Sequence, residues 1–193
     1  MRITKEQKEE IHQRIVVTAS ELFREHGFDG VSVAEVMEKA GLTHGGFYNH
    51  FSSKEDLIVE STAEGFAEIA ERYQGQDALS AIDLYISRRH RDARGQGCPA
   101  AALACEAARQ PDETKSAFAV GIENLMLAIE GNVAPERDPR AGARARAISI
   151  LAQAVGAIVL SRACPDDAPL ADEILETCRA DCRSMVEQQH PRG

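Results

Sequence analysis

Residues 32 to 57 read SVAEVMEKAGLTHGGFYNHFSSKEDL, and the helix starts and stops in this stretch decide the fold. Ser32 is followed three residues later by Glu35, a capping box that predicts the start of a short helix. Gly41 ends that helix, because glycine readily adopts the left-handed conformation that closes helices. A second short segment, residues 44–50, follows the turn. Two short helices joined by a turn that contains glycine have the proportions of a helix-turn-helix.

Helical periodicity continues on both sides of this motif. Thr4 and Gln7 form another capping box, which begins a long first helix that ends at Gly27. No segment alternates between apolar and polar residues with the period of a strand. The sequence therefore predicts an all-α fold of about nine helices. Beyond the motif, the expected helices begin at Ser53 and then cover residues 78–91, 99–109, 112–131, 143–163 and 169–189, with a connector that contains proline and glycine at 134–142.

The composition is that of a globular protein with an acidic surface. The 193 residues are 44% apolar and 27% charged, which excludes a disordered chain and a collagen-like repeat. The net charge of −9 argues against a protein that coats nucleic acid with a broadly basic surface. Residues 1–54 hold seven Lys and Arg against eight Asp and Glu. Any DNA binding is therefore expected to be local to this nearly neutral part of the chain.

The second short segment of the motif carries the residues expected to contact bases. In a helix-turn-helix this segment lies in the major groove and presents its N-terminal residues, here Thr43 and His44, to base edges. Gly45 is a poor helix former. Its presence makes sense where the backbone must approach the duplex closely, because no side chain stands in the way.

Neighbouring polar residues suit the phosphate backbone. Tyr48 and His50 can each donate one hydrogen bond, and Lys54 lies in the first turn of a helix whose N-terminus also attracts anions. The alternative is that they are solvated neighbours of a core formed by Phe47 and Phe51. The predicted DNA-binding residues are Ser32, Thr43, His44, Gly45, Tyr48, His50 and Lys54.

The stretch from residue 22 to residue 57 resembles the TetR family of transcriptional regulators. The resemblance rests on AGLT at 40–43, GFYNHF at 46–51 and SKEDL at 53–57. It implies a DNA-binding domain at residues 1–54 and a ligand-binding and dimerisation domain at residues 55–193, which fits the family only in size and class. It further implies a homodimer on a palindromic operator, usually a repressor that a small-molecule inducer releases. Residue by residue it points to Thr43 and His44 for bases and to Tyr48, His50 and Lys54 for the backbone.

A two-fold operator requires a self-complementary apolar surface, and the last two helices provide candidates. The penultimate helix is apolar on two sides, so it has both its own domain and a partner to pack against. The alternative is a wholly intramolecular core. The predicted dimer residues are Ile148, Leu151, Val155, Ile158, Ile174, Cys178, Cys182 and Met185.

Apolar and aromatic residues in the middle of the chain are candidates for a ligand cavity. Tyr73 and His90 are the possible polar anchors in this set, and ordinary core packing is the alternative for each residue. The sequence does not identify the ligand. The predicted ligand-binding residues are Phe66, Ile69, Tyr73, His90, Cys98, Phe118, Ile122 and Met126.

Cys98 stands out because Gly97-Cys98-Pro99 places proline at the first helical position and cysteine at the N-cap. A thiolate there interacts with the helix dipole and with free backbone N–H groups, which lower a thiol pKa. Three alternatives follow: an unreactive cap, a regulator that senses electrophiles or oxidants through Cys98, and an enzyme that uses Cys98 as nucleophile and His90 as base.

The remaining signals concern location and cofactors. The N-terminus lacks the apolar core of a signal peptide, and no stretch reaches the about 18 apolar residues that cross a bilayer. We therefore expect a cytoplasmic protein with reduced cysteines and no membrane partner. No two cysteines have the C-x-x-C spacing of a zinc site, and we expect neither a metal nor a cofactor.

Overall fold

The structure is a computed structural model, which describes residues 4–133 and 142–187. Over those residues it contains nine α-helices, two 3-10 helices and no strand, so the predicted all-α fold is confirmed. The connector at 134–141 and the end of the last expected helix lie outside the described residues. The α-helices are α1 (Lys5–His26), α2 (Val33–Lys39), α3 (Lys54–Tyr73), α4 (Ala78–Tyr85), α5 (Arg88–Asp92), α6 (Pro99–Ala107), α7 (Asp112–Val133), α8 (Ala143–Arg162) and α9 (Pro169–Glu187), and the 3-10 helices are His44–Asn49 and Arg94–Gln96.

The N-terminal unit forms as its capping residues predict. Thr4 and Ser32 each accept a backbone N–H from the third residue of their helix, and the Gln7 and Glu35 side chains bond back to the N-cap N–H. Gly41 closes α2 with a φ of 73°, a conformation that favours glycine. A buried aromatic cluster that includes Phe47 fixes the two short elements against α1.

Two expected helices differ in detail. The segment after the turn is a 3-10 helix, because Gly45 and Gly46 weaken the α conformation over its few residues. The expected helix at 78–91 is divided into α4 and α5. The break lies at Ile86, whose ψ of 73° is not helical, and Ser87 caps the second helix by accepting the His90 N–H.

Helix α3 joins the N-terminal unit to the rest of the molecule. It packs on α1 and also on α7. Helices α7, α8 and α9 pack side by side, and α6 lies between α1 and this group. One rigid element therefore contacts both parts of the chain.

Helix α8 is long and apolar enough to cross a membrane by length and composition, contrary to the sequence-based expectation. Its buried residues, among them Ala147, Ile150 and Ile158, belong to a core shared with α7 and α9. Ile148 and Leu160 on other sides of the helix are exposed. A helix that is apolar on two sides reaches this mean hydropathy without a membrane.

Candidate nucleic-acid interface and ligand cavity

The 3-10 helix His44–Asn49 and its N-cap present an exposed surface. It is formed by Thr43, His44, Gly45 and Tyr48, and we call it the motif surface. Tyr48 is 68% exposed, and its ring meets the edge of the His44 ring at 6.4 Å between centroids. Thr43 is the N-cap but makes no side-chain capping hydrogen bond. A Cβ added to Gly45 meets no atom within 4 Å, so packing within the protein does not require glycine there. Its small size leaves room for something outside the chain.

His50 lies behind the motif surface and is half-buried. Burial lowers its pKa, and the nearby His12 and Lys8 lower it further. Its Nδ1 is buried and has no hydrogen-bond partner among the described residues. His12 stacks on Phe51 at 4.5 Å. Sequence reasoning missed Lys8 and His12, although their i, i+4 spacing on the first helix places them on one face.

Lys54 is oriented differently from the prediction. Its Nζ donates a 2.6 Å hydrogen bond to the Phe28 carbonyl and lies 5.8 Å from the centre of the Phe23 ring. The carbonyl and the aromatic ring hold the ammonium against the loop after α1. Ser32 is also engaged, because its hydroxyl accepts the Glu35 N–H in the capping box.

The predicted dimer residues fall into two groups. Leu151, Ile158 and Cys182 are buried within the chain, so their assignment to a dimer surface is corrected. Their side chains point into the core because their positions lie on the core-facing sides of α8 and α9. Ile148 is 48% exposed. The remaining predicted residues, Val155, Ile174, Cys178 and Met185, are half-buried.

Exposed residues on α8 extend the surface around Ile148. Val159 and Leu160 are both exposed, and sequence reasoning did not select them. Ala152 is exposed as well, and a Cβ added to Gly156 meets no atom within 4 Å. Small residues of this kind let two helices approach closely.

A cavity of about 790 Å³ lies between α3, α4, α7, α8 and α9. Ile69 and Tyr73 line it, as predicted. The Tyr85 ring lines it too and was missed, because in the sequence Tyr85 looks like one more apolar position of a short helix. Apolar side chains form most of the wall, among them Ile82, Leu125, Ile129, Ile150 and Leu151.

Six predicted ligand residues do not line this cavity. The Phe66 and Phe118 rings pack edge to face at 5.4 Å, and a Cβ on Gly121 would lie 2.2 Å from the Phe66 ring. These contacts are those of a tightly packed core. The assignment of six residues to the ligand cavity is therefore corrected. The residues that do not line it are Phe66, His90, Cys98, Phe118, Ile122 and Met126.

Cys98 is the N-cap of α6, as predicted, but its side chain is fully buried. Burial raises the pKa of the thiol, and this outweighs the lowering by the neighbouring Tyr85 hydroxyl and by the backbone N–H groups of Ala100 and Ala101. Of the alternatives for Cys98, the unreactive cap therefore fits this burial, and an activated thiolate does not. The helix terminus acts in the expected direction, but desolvation is the stronger effect.

His90 is held in one protonation state by two backbone contacts. Its Nδ1 donates to the Tyr85 carbonyl at 2.7 Å, and its Nε2 accepts the Cys98 N–H at 2.9 Å. Only neutral imidazole can accept at Nε2. Burial lowers the pKa of His90 to about 4, which is consistent with this assignment.

Arg24 connects α1 to the same region. Its buried guanidinium donates to the Gly97 carbonyl at 2.8 Å and to Glu68 at 2.7 Å. Arg24, Tyr85, His90 and Cys98 form what we call the buried junction. It runs without interruption from the cavity wall at Tyr85 to α1.

Among the described residues, no group of three or more His, Cys, Asp or Glu side chains is placed to hold a metal ion. All five cysteines are unpaired thiols.

Two family models match most of the chain. The model described as bacterial regulatory proteins, tetR family, matches residues 15–60. The model described as the C-terminal domain of LmrA/YxaF-like transcriptional regulators matches residues 76–173, just over half of the chain. The chain belongs to the TetR family. The resemblance read from residues 22–57 is confirmed, and the match from residue 76 onward goes beyond likeness in size and class.

Individual relatives agree with this assignment. The transcriptional repressor AcnR of Corynebacterium diphtheriae is 37% identical over 59 residues, which is 31% of each chain. An uncharacterized HTH-type transcriptional regulator of Mycobacterium tuberculosis is 27% identical over 169 residues, covering 82% of this chain and 87% of that protein. The chain matches less than half of the length of the first curated relatives.

A TetR-family regulator from Cytophaga hutchinsonii has the same fold, with a TM-score of 0.75 over the whole of both chains at 17% identity. The TetR family consists of DNA-binding transcriptional regulators. The alternative of a cysteine-dependent enzyme is wrong. In addition, the His90 ring contacts the backbone N–H of Cys98 rather than acting on its thiol.

Proposed function

We propose that this protein is a repressor that binds a palindromic operator as a homodimer and releases it when a small molecule enters the cavity. The observation that carries the proposal is the motif surface, where exposed polar side chains stand on a helix-turn-helix. Residues 1–54 form the DNA-binding domain in this proposal, and residues 55–193 bind the ligand and the partner. We place the protein in the cytoplasm, where its operator is.

Roles at the DNA follow from exposure and free hydrogen-bonding capacity. Thr43 and His44 contact base edges, and Tyr48 donates to a phosphate. Gly45 allows the backbone to approach the duplex. His50 assists from behind the surface with its outer nitrogen, whereas Lys54 is a weaker candidate because its ammonium already bonds to a carbonyl.

The exposed apolar face of α8 supports dimerisation. Ile148, Val159 and Leu160 are its exposed apolar side chains. Ala152 and Gly156 lie on the same face, and their small size lets another helix approach. An exposed apolar surface of this kind favours association with a second copy, since a two-fold interface pairs the same face of both subunits.

Two connections support control of DNA binding from the cavity. Helix α3 begins at Lys54 beside the motif and ends at Tyr73 in the cavity wall. The buried junction links the same wall, at Tyr85, to Arg24 on α1. A ligand that prefers one arrangement of these helices shifts the equilibrium between DNA-binding and non-binding states. The repressor assignment is supported by the similarity of the motif to AcnR, which is named as a repressor.

The proposal is tested with a labelled fragment of the DNA upstream of the gene. We expect a dimer by light scattering and a specific gel shift that Thr43→Ala weakens or redirects. Ser116→Ala, on an exposed position of α7, is the matched control. A monomer at micromolar concentration that binds no palindrome in that fragment would overturn the proposal.

A further inference from the structure

The charged groups around the cavity all have the same sign. Among the described residues that line it there is no Lys, Arg or His, and the charged ones are Glu71 and Asp77. Apart from Gln74, Gly75 and Gln76, the rest of the wall is aliphatic and aromatic. An anion that entered would leave water without gaining a cationic partner among these residues, which is strongly unfavourable.

The α4 N-terminus, which lies among the described residues that line the cavity, is already occupied. Helix α4 begins at Ala78, and its free N–H groups would ordinarily attract an anion. Asp77 caps the helix, with one carboxylate oxygen accepting the Ser80 N–H at 3.0 Å and the other accepting the Ser80 hydroxyl at 2.6 Å. The helix end therefore presents a carboxylate rather than a site for an anionic ligand.

Arginines on the bounding helices are engaged elsewhere. Arg144 on α8 bonds to Glu123 and Glu130 on α7. Arg72, next to Tyr73, bonds to Glu68 and to the Gln96 carbonyl. Arg183 on α9 pairs with Asp83 on α4. Each cation would have to leave its partner to reach a ligand.

Two tyrosine rings lie next to each other at the wall in a tilted arrangement. The Tyr73 and Tyr85 centroids lie 6.1 Å apart with an interplanar angle of 39°. The Tyr73 phenol is uncharged at physiological pH, and burial raises its pKa further, to about 12. Aromatic faces pack against flat apolar rings and attract cations.

We propose that the cavity selects aromatic molecules that are uncharged or positively charged and rejects anionic ones of the same shape. This inference rests on the proposed use of the cavity for ligand binding. It names the ligand by chemical class, and it excludes organic acids and phosphorylated or sulfonated compounds as inducers.

The test uses two fluorescent probes with one skeleton. N-phenyl-1-naphthylamine is uncharged, and 8-anilino-1-naphthalenesulfonate adds one sulfonate. We expect the uncharged probe to bind the 193-residue protein at least about tenfold more tightly than the sulfonate. In competition against it, 1-naphthalenemethanol and 1-naphthylmethylammonium should act at concentrations at least about tenfold lower than 1-naphthoate.

Variants locate the bound probe. Ala81→Trp and Ala70→Trp each place an indole at the cavity wall, on different helices, and should weaken binding of the uncharged probe. Ala67→Trp, at an exposed position of α3 outside the lining, is the control. Circular dichroism checks that each variant is folded.

The outcomes separate the two proposals. If the sulfonate binds as tightly as the uncharged probe and both wall variants weaken it, the charge preference is wrong and the cavity remains a ligand site. If the uncharged probe does not bind, or ignores both wall variants, the cavity is not the ligand site. The gel shift then still tests DNA binding independently.

Discussion

The motif surface and the buried junction use the same residue types in opposite ways. His44 and Tyr48 are exposed, and their side chains form no hydrogen bond with another described residue. His90 is buried, and both of its ring nitrogens form hydrogen bonds with backbone groups. Under the proposed function, imidazole and phenol recognise DNA in the motif surface, whereas in the buried junction they hold the fold together.

The difference shows that residue type and spacing do not reveal a role until burial is known. From the sequence, Cys98 and His90 look as chemically active as His44. In the folded chain the first two are inaccessible, and their polar atoms are desolvated. The following predictions test this contrast between the two regions.

The largest expected effect is the pH dependence that His90 gives to stability. Its pKa is about 4 in the folded protein, against an ordinary value near 6.5. Between these values the unfolded chain binds a proton that the folded chain does not, so stability falls as pH decreases from 6.5 to 4 and is fully retained above 6.5. The contribution is about 3 kcal/mol.

Urea unfolding of wild type and His90→Gln at several pH values measures this contribution. From pH 7 to pH 4.5 the free energy of unfolding should decrease less in His90→Gln than in wild type, by most of the His90 contribution. His26→Gln, which changes an exposed histidine of α1, should retain it. Parallel stability curves for wild type and His90→Gln would show that His90 is not held neutral.

The second effect compares two cysteines on one helix. Cys105 is exposed and Cys98 is fully buried with a raised pKa. Because the thiolate is the reactive form and access is blocked, we expect Cys98 to react with iodoacetamide about a hundredfold more slowly. Peptide mass spectrometry over time measures both rates in one sample. Equal rates in the native protein would restore Cys98 as a candidate sensor.

Much of the N-terminal unit was predictable because its signals are local. Capping boxes at Thr4 and Ser32 and the turn at Gly41 fix each helix within a few residues. The family resemblance of the motif added the function. Most of the cavity wall was not predictable, because Tyr85 and the aliphatic residues of α7 and α8 meet the predicted Ile69 and Tyr73 only through long-range packing. Periodicity marks such residues as buried without saying whether they surround a space or fill it.

The third effect concerns Lys54, whose ammonium contacts Phe28 and Phe23. If its ammonium serves the fold by bonding to the Phe28 carbonyl, Lys54→Met should lower the free energy of unfolding by about 1.5 kcal/mol. The salt dependence of operator binding should then stay unchanged. Lys39→Met, at an exposed position of α2, is the control for loss of charge near the motif. A fall of about one unit in the salt slope for Lys54→Met would instead show that the ammonium moves to a phosphate on binding.

The smallest effect removes one hydroxyl from each region. Tyr48→Phe deletes an exposed phenol proposed to donate to a phosphate, so operator binding should weaken about fivefold, or about 1 kcal/mol, with stability unchanged. Tyr85→Phe deletes a buried hydroxyl that lies beside the Cys98 thiol but completes no hydrogen bond to a described residue. Its removal should raise the free energy of unfolding by about 1 kcal/mol and leave operator affinity unchanged.

This pair tests the contrast most directly, because the same atom is removed from the same residue type in both proteins. Gel shifts and urea unfolding are measured for both variants under one set of conditions. If Tyr48→Phe binds every operator as tightly as wild type, the phenol does not reach the backbone and the motif surface is docked differently. If Tyr85→Phe is destabilised, its hydroxyl makes an interaction in solution, and the Cys98 thiol beside it is the first partner to examine. If the motif surface binds DNA and the buried junction holds the helices, Tyr48→Phe changes operator affinity alone and Tyr85→Phe changes the free energy of unfolding alone.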